Sequence, residues 1–363
     1  MPTFIPGLKL SEYFYKEIVQ PILAEKFLGL TYSAARLEWG SDVMGFDTPM
    51  SMDHGWGPKL TLFLTNTDFA QYHDTIDDYF AHHLPLEFRG FPTHFGEPLA
   101  DGGVMTQKDA YPIHHGITIT TPERFFRNHL GVDIHRPLKP LDWLTIPQQR
   151  LFTLRSGQVF YDGLGTLSYL QSQFHWYPHD LWLYLMANQW QRIDQDEPFI
   201  GRAGTVGDAL GARLIAARLI QDLMHLSFLI EKQFAPYHKW FGSAFQQLAL
   251  APKLMPIFEA VLNCREWQQI ETHLSKAYLL AAQAHNELGV TPFIEPGVAP
   301  FHARPFLVPH AARFVTALLE SIQDPSVQVL PPHLGSIDQV VDNTDLLTHI
   351  PRCQSLKTLY KNP

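Results

Sequence analysis

The chain has 363 residues, 45% hydrophobic and 17% charged, which is enough for two domains with apolar cores. Its formal net charge of −9 argues against broad nucleic-acid binding, which normally needs a basic surface. Cys264 and Cys353 stand far apart without CxxC spacing, so the sequence predicts neither a disulfide framework nor a cysteine zinc site. We expect a cytoplasmic protein without a membrane partner, because no signal-peptide pattern and no run of 18 apolar residues occurs.

The first part of the chain mixes short strands with helices. Strands are predicted where apolar residues alternate or cluster between turn residues, and helices where they recur every three or four positions. The predicted strands are 37–39, 60–64, 84–90 and 115–119. The predicted helices are 11–28, 68–83 and 122–130, the last ending at Gly131, a residue that suits a helix C-terminal cap.

The second part of the chain has mainly helical periodicity. Its predicted helices are 147–154, 163–174, 178–194, 205–234, 240–248, 255–260, 266–288 and 311–322. The proline-bearing stretch 135–147 separates the two parts, so we place the domains at 1–145 and 146–363. The fold class is therefore α+β, a small mixed-sheet domain followed by an all-helical domain. The tail from Gln323 either packs back on the helical part or forms a mobile arm.

The segment Gly40–Leu64 carries the clearest functional pattern. Gly40 and Ser41 form a small turn, and Asp53 precedes the predicted strand 60–64. Glycine lets the backbone approach a phosphate, a serine hydroxyl and free N–H groups hold its oxygens, and an acid holds a divalent metal against them. This combination is typical of nucleotidyl transfer.

The same residues resemble a known family. The pattern GSD…DHGWGPKLTLFL is similar to domain-of-unknown-function family 4037, which is related to the nucleotidyltransferase (DNA polymerase β-like) superfamily. The block GRAGTVGDALGARLIAARLIQDLMHLSFLIEKQFAPYHKW resembles the helical half of that family. With VFYDGLGTL and YPHDLWLYLMANQWQRI, the resemblance spans about residues 25–345. It implies a nucleotidyltransferase-like sheet domain that uses Mg²⁺ or Mn²⁺ with ATP or another nucleoside triphosphate.

The metal motif departs from the superfamily pattern of Asp-x-Asp or Asp-x-Glu followed by a third carboxylate on a later strand. Two metals need paired acids to bridge a triphosphate. Here Asp53 is followed by His54 and then by Gly55 where the second acid is expected, and the strand 115–119 carries a threonine. The metal ligands that we predict are Asp53 together with the loop acids Asp42 and Asp47, with Glu87 as a further candidate.

Other candidate site residues lie on both sides of the domain boundary. His54 and Lys59, next to the motif, are predicted phosphate contacts, with a solvated charge as the alternative for Lys59. Asp208 or Glu231 is the predicted base for the acceptor hydroxyl, with a helix cap or ion pair as the alternative. Two further predicted nucleotide contacts, each with a purely structural alternative, are Arg213 and Lys239.

Two functions from different classes follow. The first is an enzyme that transfers a nucleoside monophosphate, AMP in the leading case, from a triphosphate to a small-molecule or protein acceptor. The second is a degenerate nucleotidyltransferase fold that binds a nucleotide or a partner without transfer. The missing carboxylates favour the second, and the retained Gly-Ser turn with Asp53 favours the first. A toxin–antitoxin component is a third reading, but the long helix lacks the Arg-x4-6-His signature of a ribonuclease.

Overall fold

The computed structural model describes residues 2–96 and 102–361. The chain divides into two compact units. The sheet unit comprises Met1–Leu138 and Arg150–His175, and the helical unit comprises Lys139–Gln149 and Trp176–Pro363.

A four-stranded mixed sheet organises the sheet unit. The strands of this unit are β1 (Tyr32–Arg36), β2 (Leu60–Leu64), β3 (Glu87–Phe88), β4 (Phe91–Pro92), β5 (Phe95–Gly96), β6 (Val104–Met105), β7 (Ile117–Thr120) and β8 (Gln158–Asp162). The main sheet has the order β7-β2-β1-β8, with β2 parallel to β7 and β1 antiparallel to both its neighbours. The pairs β3–β4 and β5–β6 form two separate antiparallel ribbons. The predicted fold class, α+β with a small mixed sheet, is confirmed.

Two strands differ from the sequence prediction. The first strand is Tyr32–Arg36 rather than 37–39. All five of its residues are buried between β2 and β8, so no polar–apolar alternation marks it in the sequence. Strand β8 lies after the predicted domain boundary, yet it pairs with β1, and the sheet unit therefore takes residues from both sides of that boundary.

The helices of the sheet unit surround an apolar core. Leu10, Phe14, Leu62 and Phe80 are fully buried in one cluster. The helix Pro122–Leu130 begins after a Thr121 cap and ends, as predicted, at a left-handed glycine. The other helices are Gly7–Phe14, continued through the π-helical turn Tyr15–Val19 by Gln20–Lys26, then Ser41–Met44, the 3₁₀ turn Pro49–Asp53, Asn66–His83 and Leu167–Ser172.

The helical unit packs around long, apolar helices. Its helices are Pro140–Leu144, His179–Asp196, Phe199–Thr205, Ala209–Ile230, His238–Phe245, Ala251–Asn263, Trp267–Glu287, Ala312–Glu320, Pro325–Gln328, Ile337–Val340, Thr344–Thr348 and Ile350–Ser355, with a 3₁₀ turn at Leu356–Tyr360. The helix Gln148–Ser156 follows Pro140–Leu144 in the chain. The unit also contains a hairpin that the sequence analysis does not predict, β9 (Ala299–Phe301) with β10 (Arg304–Val308).

Inside the helical unit, stacked rings and tail contacts hold the elements together. Trp190 stacks on Phe314 with ring centroids 4.2 Å apart. The tail packs back on this unit, since Lys357 Nζ lies 2.6 Å from Asp142 Oδ1 and the Tyr360 hydroxyl donates to the Gly335 carbonyl at 2.8 Å. Throughout the described part of the chain, no helix combines the length and apolarity that crossing a bilayer requires.

Candidate functional site

The Gly-Ser turn is built around a buried ion pair. Arg36, at the end of β1, donates from Nε to Asp42 Oδ2 at 3.0 Å, and both side chains are almost fully buried. Arg36 Nη2 adds contacts to Asp42 Oδ1 and the Trp39 carbonyl, both at 3.3 Å. A side chain at Gly40 would overlap the Asp42 carboxylate. The glycine of the motif therefore gives room to the ion pair, and Asp42 is bonded to a protein cation.

The other two predicted metal ligands lie in different environments. Asp47 Oδ2 accepts hydrogen bonds from the Gly7 backbone N–H at 2.6 Å and from Trp56 Nε1 at 2.8 Å. Asp53 ends a 3₁₀ turn rather than entering a strand, and its side chain is 63% exposed. It contacts the neighbouring His54, whose Nδ1 lies 3.0 Å from Asp53 Oδ1. Asp47 thus joins the start of the helix Gly7–Phe14 to the loop that carries Trp56, and Asp53 is a solvated acid.

A cavity of about 220 Å³ lies beside β2 and β7 in the sheet unit. We call it the Lys59 pocket. It combines cations, one carboxylate, aromatic rings and two histidines, and its walls are formed by Arg36, Glu38, Trp39, Lys59, Phe95, Gly102, His114, His115, Gly116 and Thr118. Of the residues that the sequence analysis singles out for a site, Lys59 is the one in this wall.

The Lys59 ammonium is held by carbonyl oxygens. Nζ donates to the Gly102 carbonyl at 2.8 Å and lies 3.5 Å from the Gly55 carbonyl oxygen. It also lies 5.1 Å from the centre of the Phe95 ring. Burial, reinforced by the positive charge of Arg36, lowers the pKa of Lys59 to about 8, against an opposing effect of the nearby acids. The pocket therefore holds a cation whose charge an incoming anion would stabilise.

Two glycines bring the backbone against the Lys59 side chain. A Cβ at Gly116 would lie 2.7 Å from Lys59 Cγ, closer than real Cβ contacts come. A Cβ at Gly102 would lie 3.1 Å from both Lys59 Nζ and Trp39 Cη2. Gly116 thus leaves room for the lysine stem, and Gly102 leaves room for its ammonium.

Two paired strand positions beside the pocket carry hydroxyls rather than carboxylates. Thr61 on β2 and Thr118 on β7 are register partners. Thr61 Oγ1 donates to Glu38 Oε1 at 3.2 Å, and Glu38 Oε2 lies 3.7 Å from Arg36 Nη1. Within residues 2–96 and 102–361, no group of three or more His, Cys, Asp or Glu is placed to hold a metal ion. Lysine and threonine do not fit a two-metal site, which needs clustered carboxylates.

One histidine of the pocket wall serves to join secondary-structure elements. His115 Nδ1 accepts a hydrogen bond from the Ile117 backbone N–H at 3.2 Å, which leaves the ring proton on Nε2. Nε2 points to Asp77, 3.2 Å from its carbonyl and 3.4 Å from Oδ1, and the hydrogen bond from His115 lowers the pKa of Asp77. His115 thereby links the start of β7 to the helix Asn66–His83, whereas His114 is exposed.

The candidate residues of the helical unit have local structural contacts. Asp208 caps the helix Ala209–Ile230 by accepting from the Gly211 N–H at 2.8 Å. Glu231 accepts from two backbone N–H groups, Ala249 at 2.7 Å and Leu250 at 2.8 Å, just before the helix Ala251–Asn263. Asp208 and Glu231 therefore make the capping contacts that were the structural alternative to a role as the base.

The two basic candidates of the helical unit are exposed. Arg213 Nε donates to the Ala209 carbonyl one helical turn earlier, at 3.3 Å. Lys239 Nζ lies 5.1 Å from the centre of the neighbouring Trp240 ring. Their proposed contact with a nucleotide stays a prediction.

Sequence reasoning missed most of the pocket. Arg36, Glu38 and Trp39 immediately precede the Gly-Ser turn, and Thr118 was noted only as a missing acid. A signal was present, because Arg36 and Glu38 are two residues apart and so share a face of an extended chain. Placing the strand at 37–39 instead of Tyr32–Arg36 obscured that signal.

Residues 143–241 match the family described as "Domain of unknown function (DUF4037)". This match covers just over a quarter of the chain and confirms the resemblance that the helical blocks predicted. A nucleotidyltransferase-like protein from Exiguobacterium sibiricum 255-15 is a structural neighbour with 11% sequence identity, a TM-score of 0.33 and 77% coverage of each chain. No curated protein matches the chain.

Proposed function

We propose that the sheet unit binds a nucleotide in the Lys59 pocket, with the phosphate groups at Lys59 and the base against Trp39. The observation that carries this proposal is the Lys59 ammonium, which lines the cavity and has carbonyl groups as its hydrogen-bond partners. The ammonium already makes charge-assisted hydrogen bonds to these carbonyls, and a phosphate oxygen adds the attraction of a full negative charge. We therefore expect the Lys59 ammonium to prefer a phosphate oxygen to a neutral carbonyl oxygen.

Arg36 supports this site without being its main ligand. Its guanidinium already bonds Asp42 and the Trp39 carbonyl, so few of its donors remain for a ligand. The ion pair instead fixes the turn that carries Glu38 and Trp39 to the wall of the pocket. Arg36 also contributes positive potential, which is one cause of the lowered pKa of Lys59.

The aromatic and acidic groups favour a nucleotide over a simple phosphate. Trp39 is 44% exposed although it is a large apolar ring, and it lines the cavity. Stacking of a base on such a ring contributes about 1–3 kcal/mol. Glu38, with 28% of its side chain exposed, has a carboxylate that accepts N–H groups of a base. The resemblance to the nucleotidyltransferase superfamily also supports a nucleotide as the ligand.

This proposal takes the binding alternative over metal-dependent transfer. The described donors near β2 and β7 do not fit a two-metal centre, so no transfer step is assigned to the pocket. Transfer of AMP to a small-molecule or protein acceptor, with Mg²⁺ or Mn²⁺ at Asp53, is the competing hypothesis. In the binding account, magnesium accompanies the nucleotide and is not held by protein acids.

Titration calorimetry of the full chain with ATP, GTP, CTP and UTP tests the proposal, each in the presence of Mg²⁺ and again in EDTA. We expect binding of at least one nucleotide in EDTA. Lys59→Met should weaken it by about 10–100-fold, the equivalent of one charged hydrogen bond. The matched control is Lys26→Met, an exposed lysine paired with Glu25 outside the pocket.

Inorganic tripolyphosphate separates the two contacts. Trp39→Leu should weaken nucleotide binding and leave tripolyphosphate binding unchanged, whereas Lys59→Met should weaken both. Absence of binding to all four nucleotides, or equal binding by wild type and Lys59→Met, overturns the proposal. Binding that needs Mg²⁺ and is lost in Asp53→Asn supports the transferase hypothesis instead.

A further inference from the structure

We propose that Lys59 is also a nucleophilic amine, which forms an imine with a small aldehyde or ketone in the same pocket. The imine requires only Lys59 and a carbonyl compound. In the proposed function the same nitrogen contacts phosphate, so a bound nucleotide and the imine exclude each other, and the experiment below tests the two separately.

The first argument is the fixed position of the amine. A Cβ at Gly116 would lie 2.7 Å from Lys59 Cγ and one at Gly102 would lie 3.1 Å from Lys59 Nζ, so the two glycines confine the stem and the amine. Lys59 lines a cavity of about 220 Å³, and its Nζ contacts two other residues of the wall, Gly102 and Phe95. Ordinary surface lysines sample many rotamers, whereas this one presents its nitrogen to one small volume. Such positioning favours reaction with a carbonyl carbon bound in that volume.

The second argument is the chemical state of the amine. Only a neutral amine attacks a carbonyl, and enzymes obtain it by desolvating a lysine or placing it beside another cation. Both conditions occur here, because Lys59 is largely enclosed and Arg36 is near it. Because its pKa is lowered to about 8, a far larger share of Lys59 is neutral near pH 7.4 than of an unperturbed lysine.

The reaction balances without an external oxidant or reductant. The nitrogen lone pair of Lys59 forms a bond to the carbonyl carbon, and the electron pair of the C=O π bond moves to oxygen, which takes up one of the two protons of the nitrogen. The resulting carbinolamine loses its hydroxyl as water after protonation, while nitrogen releases its proton. The products are one imine, which replaces the C=O bond by C=N, and one water molecule.

The probe is pyridoxal 5′-phosphate with the full chain, followed by borohydride reduction of the imine to a secondary amine and peptide mass spectrometry. At pH 7.4 and limiting probe, we expect Lys59 to be labelled at least tenfold more than Lys26. Labelling as a function of pH should reach half its maximum near 8. Lys59→Arg, which keeps the charge but forms no such imine, should remove this label, and circular dichroism checks that the variant is folded.

Pyridoxal without the phosphate separates the two proposals. If the phosphorylated probe labels Lys59 faster and ATP competes, both the imine and the phosphate site are supported. If both probes label Lys59 selectively and equally, and ATP does not compete, the imine stands and the phosphate site fails. If neither probe labels Lys59 above Lys26, the imine proposal is overturned, whatever calorimetry shows for ATP.

Discussion

Arg36 and Asp42 form a buried ion pair, with Nε and Oδ2 3.0 Å apart, inside the turn where the Gly-Ser motif is found. Each partner needs the other, because an unpaired charge in this position has lost its water without compensation. The pair also places Glu38 and Trp39 at the Lys59 pocket. The Gly-Ser motif thus shapes the pocket through the contact between its acid, Asp42, and Arg36.

Removing one partner of this pair should destabilise the sheet unit strongly. We expect Asp42→Asn to lower the free energy of unfolding by about 3–5 kcal/mol, because it removes the nearest carboxylate from the buried Arg36 and leaves it with the more distant, partly exposed Glu38. The double variant Arg36→Met with Asp42→Leu should recover part of that loss. Urea unfolding measures both, with Asp53→Asn as a control acid that is exposed. A loss for Asp42→Asn no larger than for the control contradicts the prediction.

Asp53 and Asp47 should respond differently to loss of charge. Asp47→Asn should weaken or remove the hydrogen bonds from Gly7 and Trp56. The free energy of unfolding should fall by about 1–3 kcal/mol, the cost of a buried donor left unsatisfied. Asp53→Asn should change neither the unfolding midpoint nor ATP binding in EDTA. A Mg²⁺-dependent ATP affinity that disappears in Asp53→Asn would instead establish the predicted metal ligand.

Nucleotide affinity should fall as the pH rises through about 8. The folded protein loses the Lys59 proton there, and the neutral amine no longer attracts phosphate. The phosphates of ATP are ionised on both sides of this value. We expect the dissociation constant for ATP to rise about tenfold between pH 7 and pH 9.5. Calorimetry of wild type and Lys59→Met checks this, since the variant should show a flat profile over the same range.

Stability of the helical unit should depend on pH through Glu197. Burial, with Asp194 adding to it, raises the pKa of Glu197 to about 8, against an ordinary value near 4.5. Between these values the folded chain keeps a proton that the unfolded chain releases, so this group makes stability fall as the pH rises. Glu197→Gln should reduce that fall in stability. In the native protein the Ala311 N–H lies 3.0 Å from the Glu197 carboxylate, and the amide oxygen of glutamine can still accept this hydrogen bond.

Urea midpoints at pH 5, 6, 7 and 8 give the test for Glu197. The advantage of Glu197→Gln over wild type should grow with pH. Glu320→Gln, at an exposed position in the helix Ala312–Glu320, is the matched control and should track wild type. A constant difference across the four values would show that Glu197 is ionised in the folded protein.

Two helical glycines of the helical unit should respond in opposite directions to alanine. A Cβ at Gly204 would overlap the Trp267 ring, so Gly204→Ala should cost about 1–3 kcal/mol by overpacking. A Cβ at Gly242 meets nothing within 4 Å, so Gly242→Ala should stabilise by about 0.5–1 kcal/mol through helix propensity. Thermal unfolding of both variants provides the comparison. A stabilised Gly204→Ala would show that the ring can move away.

The sequence by itself determined the elements with strong local signals. Strand β2 is found at the predicted residues 60–64, since a run of β-formers bounded by turn residues marks it. The helix Pro122–Leu130 ends where Gly131 permits a left-handed cap. Sequence periodicity also separated a mixed-sheet part from a helical part. These features depend on residues that are neighbours in the chain, so the pattern is readable without a structure.

Only the tertiary structure decided which charged groups are available for function. Ser33 Oγ donates to Asp162 Oδ1 across 129 positions of sequence, and such contacts place β8 on the edge of the sheet. In the same way, folding pairs Asp42 with Arg36, and it encloses Lys59 between glycines that are 43 and 57 positions further along the chain. In the sequence, Asp42 and Lys59 are both simply charged side chains. Burial and distance, which depend on long-range packing, distinguish a structural acid from a reactive amine.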